Sequence, residues 1–182
     1  GGGDDDDGSD GTELDCDNDF DDDGDGWSDC TDVDCVADPA CRDEDGGNQD
    51  QGDFLVNWAD DTGYEDWAGW LQENGGTEAL ASGLNNALKL PRDLWLLHGL
   101  CGVENAFFDP SQDRVTICYE LVASIYGDFD TAYAETEFAD QVPSLTIQTY
   151  WFILFHEVGH ALVYYYQLPV TGAQEDVVDE FS

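Results

Sequence analysis

The chain changes character at Phe54. Before it there is almost no apolar periodicity, and Gly1 to Gly11 is glycine and aspartate with too little apolar surface to bury a core. After it the apolar positions fall into registers. Phe54 to Trp58 is a short apolar run and predicts a strand. Tyr64 to Leu90 carries Trp67, Trp70, Leu71, Leu80, Leu84 and Leu88 at helical spacing, broken at Asn74-Gly75-Gly76, which predicts two helices with a core-facing side. Pro91 ends that region. Asp93 to Leu100 predicts an apolar strand, in which His98 is a lone histidine of the kind that usually serves structure. Asn105 to Phe108, a loop through Asp109-Pro110-Ser111-Gln112-Asp113, and Arg114 to Cys118 predict a β-hairpin. Tyr119 to Tyr126 predicts a helix with Glu120 on its polar side, and Gly127 to Val142 reads as an acidic loop.

The longest periodic stretch is Leu145 to Leu168. Ser144 after Pro143 can cap its start, and Pro169 stops it. It is apolar around most of its circumference, yet it holds His156, Glu157 and His160 at its centre. Positions four apart share one face of a helix, so the two imidazoles point the same way and can hold one zinc ion. Glu157 lies beside them, within reach of a water on the metal. Three polar groups in an apolar helix are costly to bury unless something pairs with them, and a metal does so. Beyond Pro169, Thr171 and Gln174 fit a capping box and predict a second helix. Glu175 and Asp179 share its face. Folded back by the short turn at 168–172, Glu175 completes a His2Glu zinc site, and Asp179 is placed to hold a ligand histidine.

These residues carry a resemblance. His156-Glu157-Val158-Gly159-His160-Ala161-Leu162-Val163, then Leu168-Pro169-Val170-Thr171-Gly172, then Glu175 to Phe181 resemble a family of zinc metallopeptidases first catalogued as a domain of unknown function, DUF4344. Cys101 to Pro110 and Ile117 to Leu121 are similar to the same family. The likeness runs from about Phe54 to the end. Members of the family usually continue further, so a C-terminally truncated domain is expected. The E-x-x-x-D ending also resembles that of gluzincins. Thermolysin-like gluzincins carry a similar N-A-F beside the active-site helix, and the resemblance implies that Asn105 and Ala106 bind substrate by strand addition. An ordinary edge strand with Phe107 or Phe108 in the core is the plain alternative.

Composition changes the picture for the first 53 residues. The formal net charge is -39, from 43 acidic and 4 basic side chains, and roughly half the acids precede Phe54. Such a chain does not bind nucleic acid or anionic membranes without cations. The apolar run around His156 is no membrane span, because His, Glu and His occupy its middle. There is no methionine, which reads as a fragment or a mature piece. Six cysteines suit an exported, oxidised protein, at the cell surface or outside it. Cys16 with Cys30 and Cys35 with Cys41 is the expected pairing, leaving Cys101 with Cys118. Asp21, Asp23, Asp25, Asp29 and Asp32 with Gly26 follow the positions of an EF-hand-type loop and predict a calcium site. This stretch is similar to calcium-binding repeats of secreted bacterial proteins, including thrombospondin type 3-like ones. A solvated acidic linker, or a salt-adapted surface, is the alternative.

The expected architecture is therefore an acidic tail over 1–14, a disulfide-bonded calcium-binding segment over 15–41, a linker over 42–53, and an α+β domain of zincin type over 54–182. The expected function is zinc-dependent hydrolysis of peptide bonds with Glu157 as general base. The second electrophile comes from Tyr164, Tyr165 or Tyr166. The competing reading is a calcium-dependent binding or adhesion module whose zincin domain does not cut. The partners expected are a Zn2+ ion, a Ca2+ ion and a peptide or protein substrate.

Overall fold

A computed structural model describes residues 11–42, 50–59, 63–170 and 173–180. It is an α+β arrangement: four strands form one mixed sheet, and five α-helices accompany it among the described residues. The strands are β1 (Phe54–Trp58), β2 (Leu94–Gly99), β3 (Ala106–Asp109) and β4 (Arg114–Cys118), in the spatial order β1-β2-β4-β3. β1, β2 and β4 run parallel, and β3 returns antiparallel to β4 at the sheet edge. Helices α1 (Glu65–Asn74) and α2 (Thr77–Ala87) fill the crossover between β1 and β2. Gly76, at φ 65°, supplies the left-handed residue that breaks them apart. α3 (Tyr119–Tyr133) follows β4 directly and lies along α4 (Val142–Tyr165). α5 (Gln174–Val178) closes against α4.

The period-2 pattern of β2 sends Leu94, Leu96 and His98 into the core while Trp95 stays partly exposed. Val115 and Ile117 of β4 join them. From α4 come Tyr150, Leu154, Val158, Ala161 and Tyr165, all in the same buried cluster. α4 is thus the hydrophobic cover of the sheet, which explains its apolar circumference. His98 is fully buried and bonds through Nε2 to the Tyr150 hydroxyl at 2.7 Å, so it serves the core. Burial pushes its pKa down to about 4.

Several boundaries differ from expectation, each for a local reason. α4 begins at Val142, with Pro143 in its first turn, so Ser144 is not its cap. It ends at Tyr165, before Pro169. Leu168 N–H bonds the Val163 carbonyl at 3.0 Å and Gln167 N–H the Tyr164 carbonyl at 3.2 Å, with Gln167 at φ 46°. That is a Schellman ending with glutamine where glycine is usual. α3 runs seven residues past the expected Tyr126, and the acidic loop shrinks to the stretch before Val142. Gln51 and Gly52 donate to the Leu90 carbonyl at 2.9 and 3.1 Å, so the linker is already paired there. A Cβ on Gly52 would lie 2.0 Å from the Arg92 carbonyl carbon. Thr171 of the expected capping box, the acidic residues 1–10 and most of the linker lie outside the described residues.

The N-terminal segment is irregular but packed. Its disulfides correct the expected pairing: Cys16 joins Cys35 and Cys30 joins Cys41, while Cys101 joins Cys118 as expected. Neighbours in sequence are not neighbours in space here. The short 3-10 turns Asp29–Thr31 and Pro39–Cys41 lie side by side and bring Cys30 to Cys41. Glu13, within the expected tail of 1–14, is buried, accepting the Asp22 amide at 2.9 Å and the Asp29 amide at 3.2 Å. Val33 belongs to the same buried cluster as the sheet and α4. Arg92, itself buried, pairs with Asp113 at 2.9 Å, donates to the Thr31 carbonyl at 3.0 Å, and lies 4.4 Å from the Trp27 ring centre. Gln167 donates to Asp34. The acidic segment is therefore fastened to the domain rather than hung from it.

Candidate active site

α4 and α5 together make the site. Residues 156 and 160 share one face of α4 and aim their Nε2 atoms at each other, 3.2 Å apart. The turn after Gln167 swings α5 back, and Glu175 Oε2 arrives 3.2 Å from His156 Nε2 and 3.5 Å from His160 Nε2. Four atoms held tetrahedrally about 2.0–2.1 Å from one ion sit roughly 3.3 Å from each other, which is the separation found among these three. The donor set of two imidazoles and one carboxylate fits a zinc ion with a fourth position open. Asp179 Oδ1 accepts from His156 Nδ1 at 2.8 Å. With the proton held on Nδ1, the Nε2 lone pair faces the centre. Both histidines are largely enclosed, whereas Glu175 and Asp179 remain more than half exposed.

Glu157 is half-buried next to these groups and is not one of the converging three. Burial raises its pKa, against the pull of His160, His156 and a hydrogen bond from the Phe108 backbone; Glu175 pushes the same way as burial. A carboxyl so raised holds a proton more readily than an exposed glutamate does.

The cleft has a volume of about 460 Å³ and is walled by β3 on one side and α4 and α5 on the other. Ala106, Phe107, Phe108 and Pro110 face His156, Glu157, His160, Tyr164, Gln174 and Glu175 across it. β3 is an edge strand. Asn105 already gives its carbonyl to Cys118 N–H at 3.1 Å, and hydrogen-bonded pairs alternate in an antiparallel ladder. The peptide groups of Ala106 and Phe108 therefore face the open edge, toward the cleft. Of the two residues expected to meet substrate, Ala106 lines the cleft; Asn105 lies outside its lining, its carbonyl engaged in the sheet.

The three tyrosines divide cleanly. Tyr165 is buried and donates to Asp113 at 2.8 Å; Tyr166 donates to the Lys89 carbonyl at 2.7 Å. Tyr164 alone of the three lines the cleft. Sequence reasoning could not choose, because three consecutive tyrosines spread over about 200° of a helix and only the packing says which side is open. Phe107, the third residue of the N-A-F run, and Phe108, expected only as a core alternative, both line the cleft.

Among the acids expected to hold calcium, Asp23, Asp25 and Asp32 bring carboxylate oxygens within 4.8 Å of one another, and Asp21 and Asp23 do the same with Glu13. Asp29 lies outside both groups; its carboxylate accepts the Asn18 amide at 2.9 Å and the Asp19 amide at 3.0 Å.

An imidazole pair, a carboxylate and a neighbouring acid–base group beside an open strand edge are the equipment of metal-dependent hydrolases as a class. Residues 58–182 match the family described as "Putative metallopeptidase", DUF4344, and the chain belongs to that family. Neither the curated proteins nor the solved structures yield a match. Among the described residues no helix is long and apolar enough to cross a membrane.

Proposed function

We propose that the protein is a zinc-dependent peptidase of gluzincin type, with a zincin-like catalytic domain, that binds an extended peptide along β3. The observation that carries this is the convergence of His156 Nε2, His160 Nε2 and Glu175 Oε2 within 3.2–3.5 Å, beside a Glu157 that is not one of the three. His156, His160 and Glu175 would hold the ion, and Asp179 fixes the tautomer of His156. When bound, zinc supplies Lewis-acid polarisation of the scissile carbonyl and lowers the pKa of its water to about 7. Glu157 accepts the proton of the attacking water and passes it to the leaving amine. Tyr164 faces the cleft and is placed to donate to the oxygen that becomes negative at the scissile carbon. Ala106 and the Phe108 carbonyl, on the open side of β3, would pair with an extended substrate, while the Phe108 N–H bonds Glu157, and the Phe107 ring offers an apolar contact. The three disulfides suit an oxidising, extracellular or cell-surface setting.

The test is direct. The purified chain, dialysed against trace zinc, should hold one tightly bound zinc and cleave members of a peptide library. His156→Ala together with His160→Ala should hold none at this site. Equal zinc in the double variant, or a zinc-loaded parent that cleaves nothing, defeats the proposal.

A further inference from the structure

The acidic segment holds a feature the peptidase reading does not use. Asp32 is 1 % exposed, and its Oδ2 is buried with no hydrogen-bond partner among the described residues. Its other oxygen accepts the Asp34 amide. A buried carboxylate oxygen without a donor is costly, and native structures rarely leave one so. Around it the chain adds negative charge instead of relieving it. Asp23 and Asp25 bring carboxylate oxygens within 4.8 Å of the Asp32 carboxylate, and Asp23 is shared with a second group formed with Glu13 and Asp21. In this cluster Asp23 and Asp25 each use Oδ1 to accept an amide of the loop, from Asp25 and Trp27 respectively.

We propose that Asp23, Asp25 and Asp32, with Glu13 and Asp21 alongside, form a calcium site, and that its occupancy stabilises the whole chain because the same loop is fastened to the peptidase domain. Hard carboxylate oxygens from an irregular loop suit calcium, which accepts six to eight oxygens in flexible geometry; magnesium asks for a near-ideal octahedron and keeps its waters. Asp29 is not a ligand: its carboxylate clasps the Asn18 and Asp19 amides and shapes the loop. The burial of Asp32 is matched by its raised pKa, pushed up to about 6 chiefly by burial, against the Asp34 backbone hydrogen bond and together with the charges of Asp25, Asp34 and Asp23. A cation removes both the unpaired oxygen and the repulsion. The coupling runs through named contacts: Val33 in the shared core, Thr31 and Trp27 on Arg92, and Asp34 under Gln167 at the end of α4. This inference stands apart from the zinc site and does not need peptide cleavage.

The experiment uses the full, oxidised, zinc-loaded chain at constant ionic strength. Calcium chloride is titrated by calorimetry, and the thermal midpoint is followed with calcium and with magnesium. Saturable binding with a dissociation constant at or below about 10⁻³ M and a rise in midpoint greater than magnesium gives is expected. Asp32→Asn should weaken calcium by about tenfold or more, since a ligand charge is lost. Without calcium the same variant should be at least as stable as the parent, because it removes a buried unpaired charge. Asp25→Asn, at a more exposed position, should weaken calcium too. A triple variant of remote surface acids, Asp128→Asn with Asp130→Asn and Asp140→Asn, should bind calcium as the parent does. Equal weakening by the remote triple variant, unchanged affinity in both Asp32→Asn and Asp25→Asn, or no saturable binding overturns the site. Binding with no shift in the thermal midpoint overturns the coupling.

Discussion

His98 shows what a single titratable residue costs when the fold needs it neutral. It is stacked on Trp58 with ring centres 4.0 Å apart and tied to Tyr150, and burial takes its pKa from 6.5 to about 4. The unfolded chain therefore binds a proton between pH 6.5 and 4 that the folded chain refuses. The stability contributed by the neutral ring is present above pH 6.5 and is lost as pH falls through about 4. Asp32, raised to about 6, acts in the opposite sense: its contribution is present below 3.8 and lost as pH rises through 6. Comparing the parent with His98→Gln isolates the histidine. Between pH 7 and pH 5 the parent should lose on the order of 2 kcal/mol more than the variant. Urea midpoints at the two pH values measure this, and parallel slopes would contradict it. That His156 and His160 face one another was legible in the sequence, because i, i+4 spacing dictates a shared helix face. Tyr164 was not, because its role depends on which side of α4 the sheet leaves open.

At the scale of elements, sequence pattern placed β1 to the residue and β2 nearly so, since runs between Gly and Pro breakers have few alternatives. The break at Gly75-Gly76 and the β3–β4 hairpin were equally readable. What failed was set by contacts between the acidic segment and the rest of the chain, or within that segment. α4 ends three residues early because Gln167 takes a left-handed conformation and finds Asp34, 133 residues away in sequence. The cysteine pairing failed for the same reason: with four cysteines close in sequence, spacing alone does not choose among three connectivities. Proteolysis of the unreduced chain with mass mapping should recover Cys16–Cys35, Cys30–Cys41 and Cys101–Cys118 as linked pairs. Recovery of Cys16 bound to Cys30 would contradict the arrangement described above and would separate the two 3-10 turns.

At the scale of the molecule, one arginine joins the two halves. Arg92 meets Asp113 of the β3–β4 loop, Tyr165 and Tyr164 of α4, and Trp27 and Thr31 of the acidic segment. It is one of four basic residues against 43 acids, so its charge is spent at the interface. Arg92→Ala leaves Asp113 buried without its cation and should lower stability by about 3–5 kcal/mol. Denaturant unfolding of the oxidised protein checks the value. A loss below about 1 kcal/mol would mean that the two halves are held by Val33 and the Gln167–Asp34 bond rather than by Arg92. Composition had announced an acidic segment but not its attachment, because attachment depends on Arg92 and Val33, neither of which stands out in a linear pattern.

The central claim is that Glu157 moves a proton while Glu175 holds the metal. One comparison tests it. Glu157→Gln keeps the shape of the side chain and removes the acceptor, so zinc should stay at parental stoichiometry while kcat/KM on a cleaved peptide falls by about 10²–10⁴-fold. Glu175→Gln should instead lose zinc affinity, since a neutral amide is a weak ligand. Zinc retained with activity lost in the first variant, and zinc lost in the second, is the predicted pair. Unchanged turnover in Glu157→Gln would contradict the assignment of the base and with it the proposed mechanism.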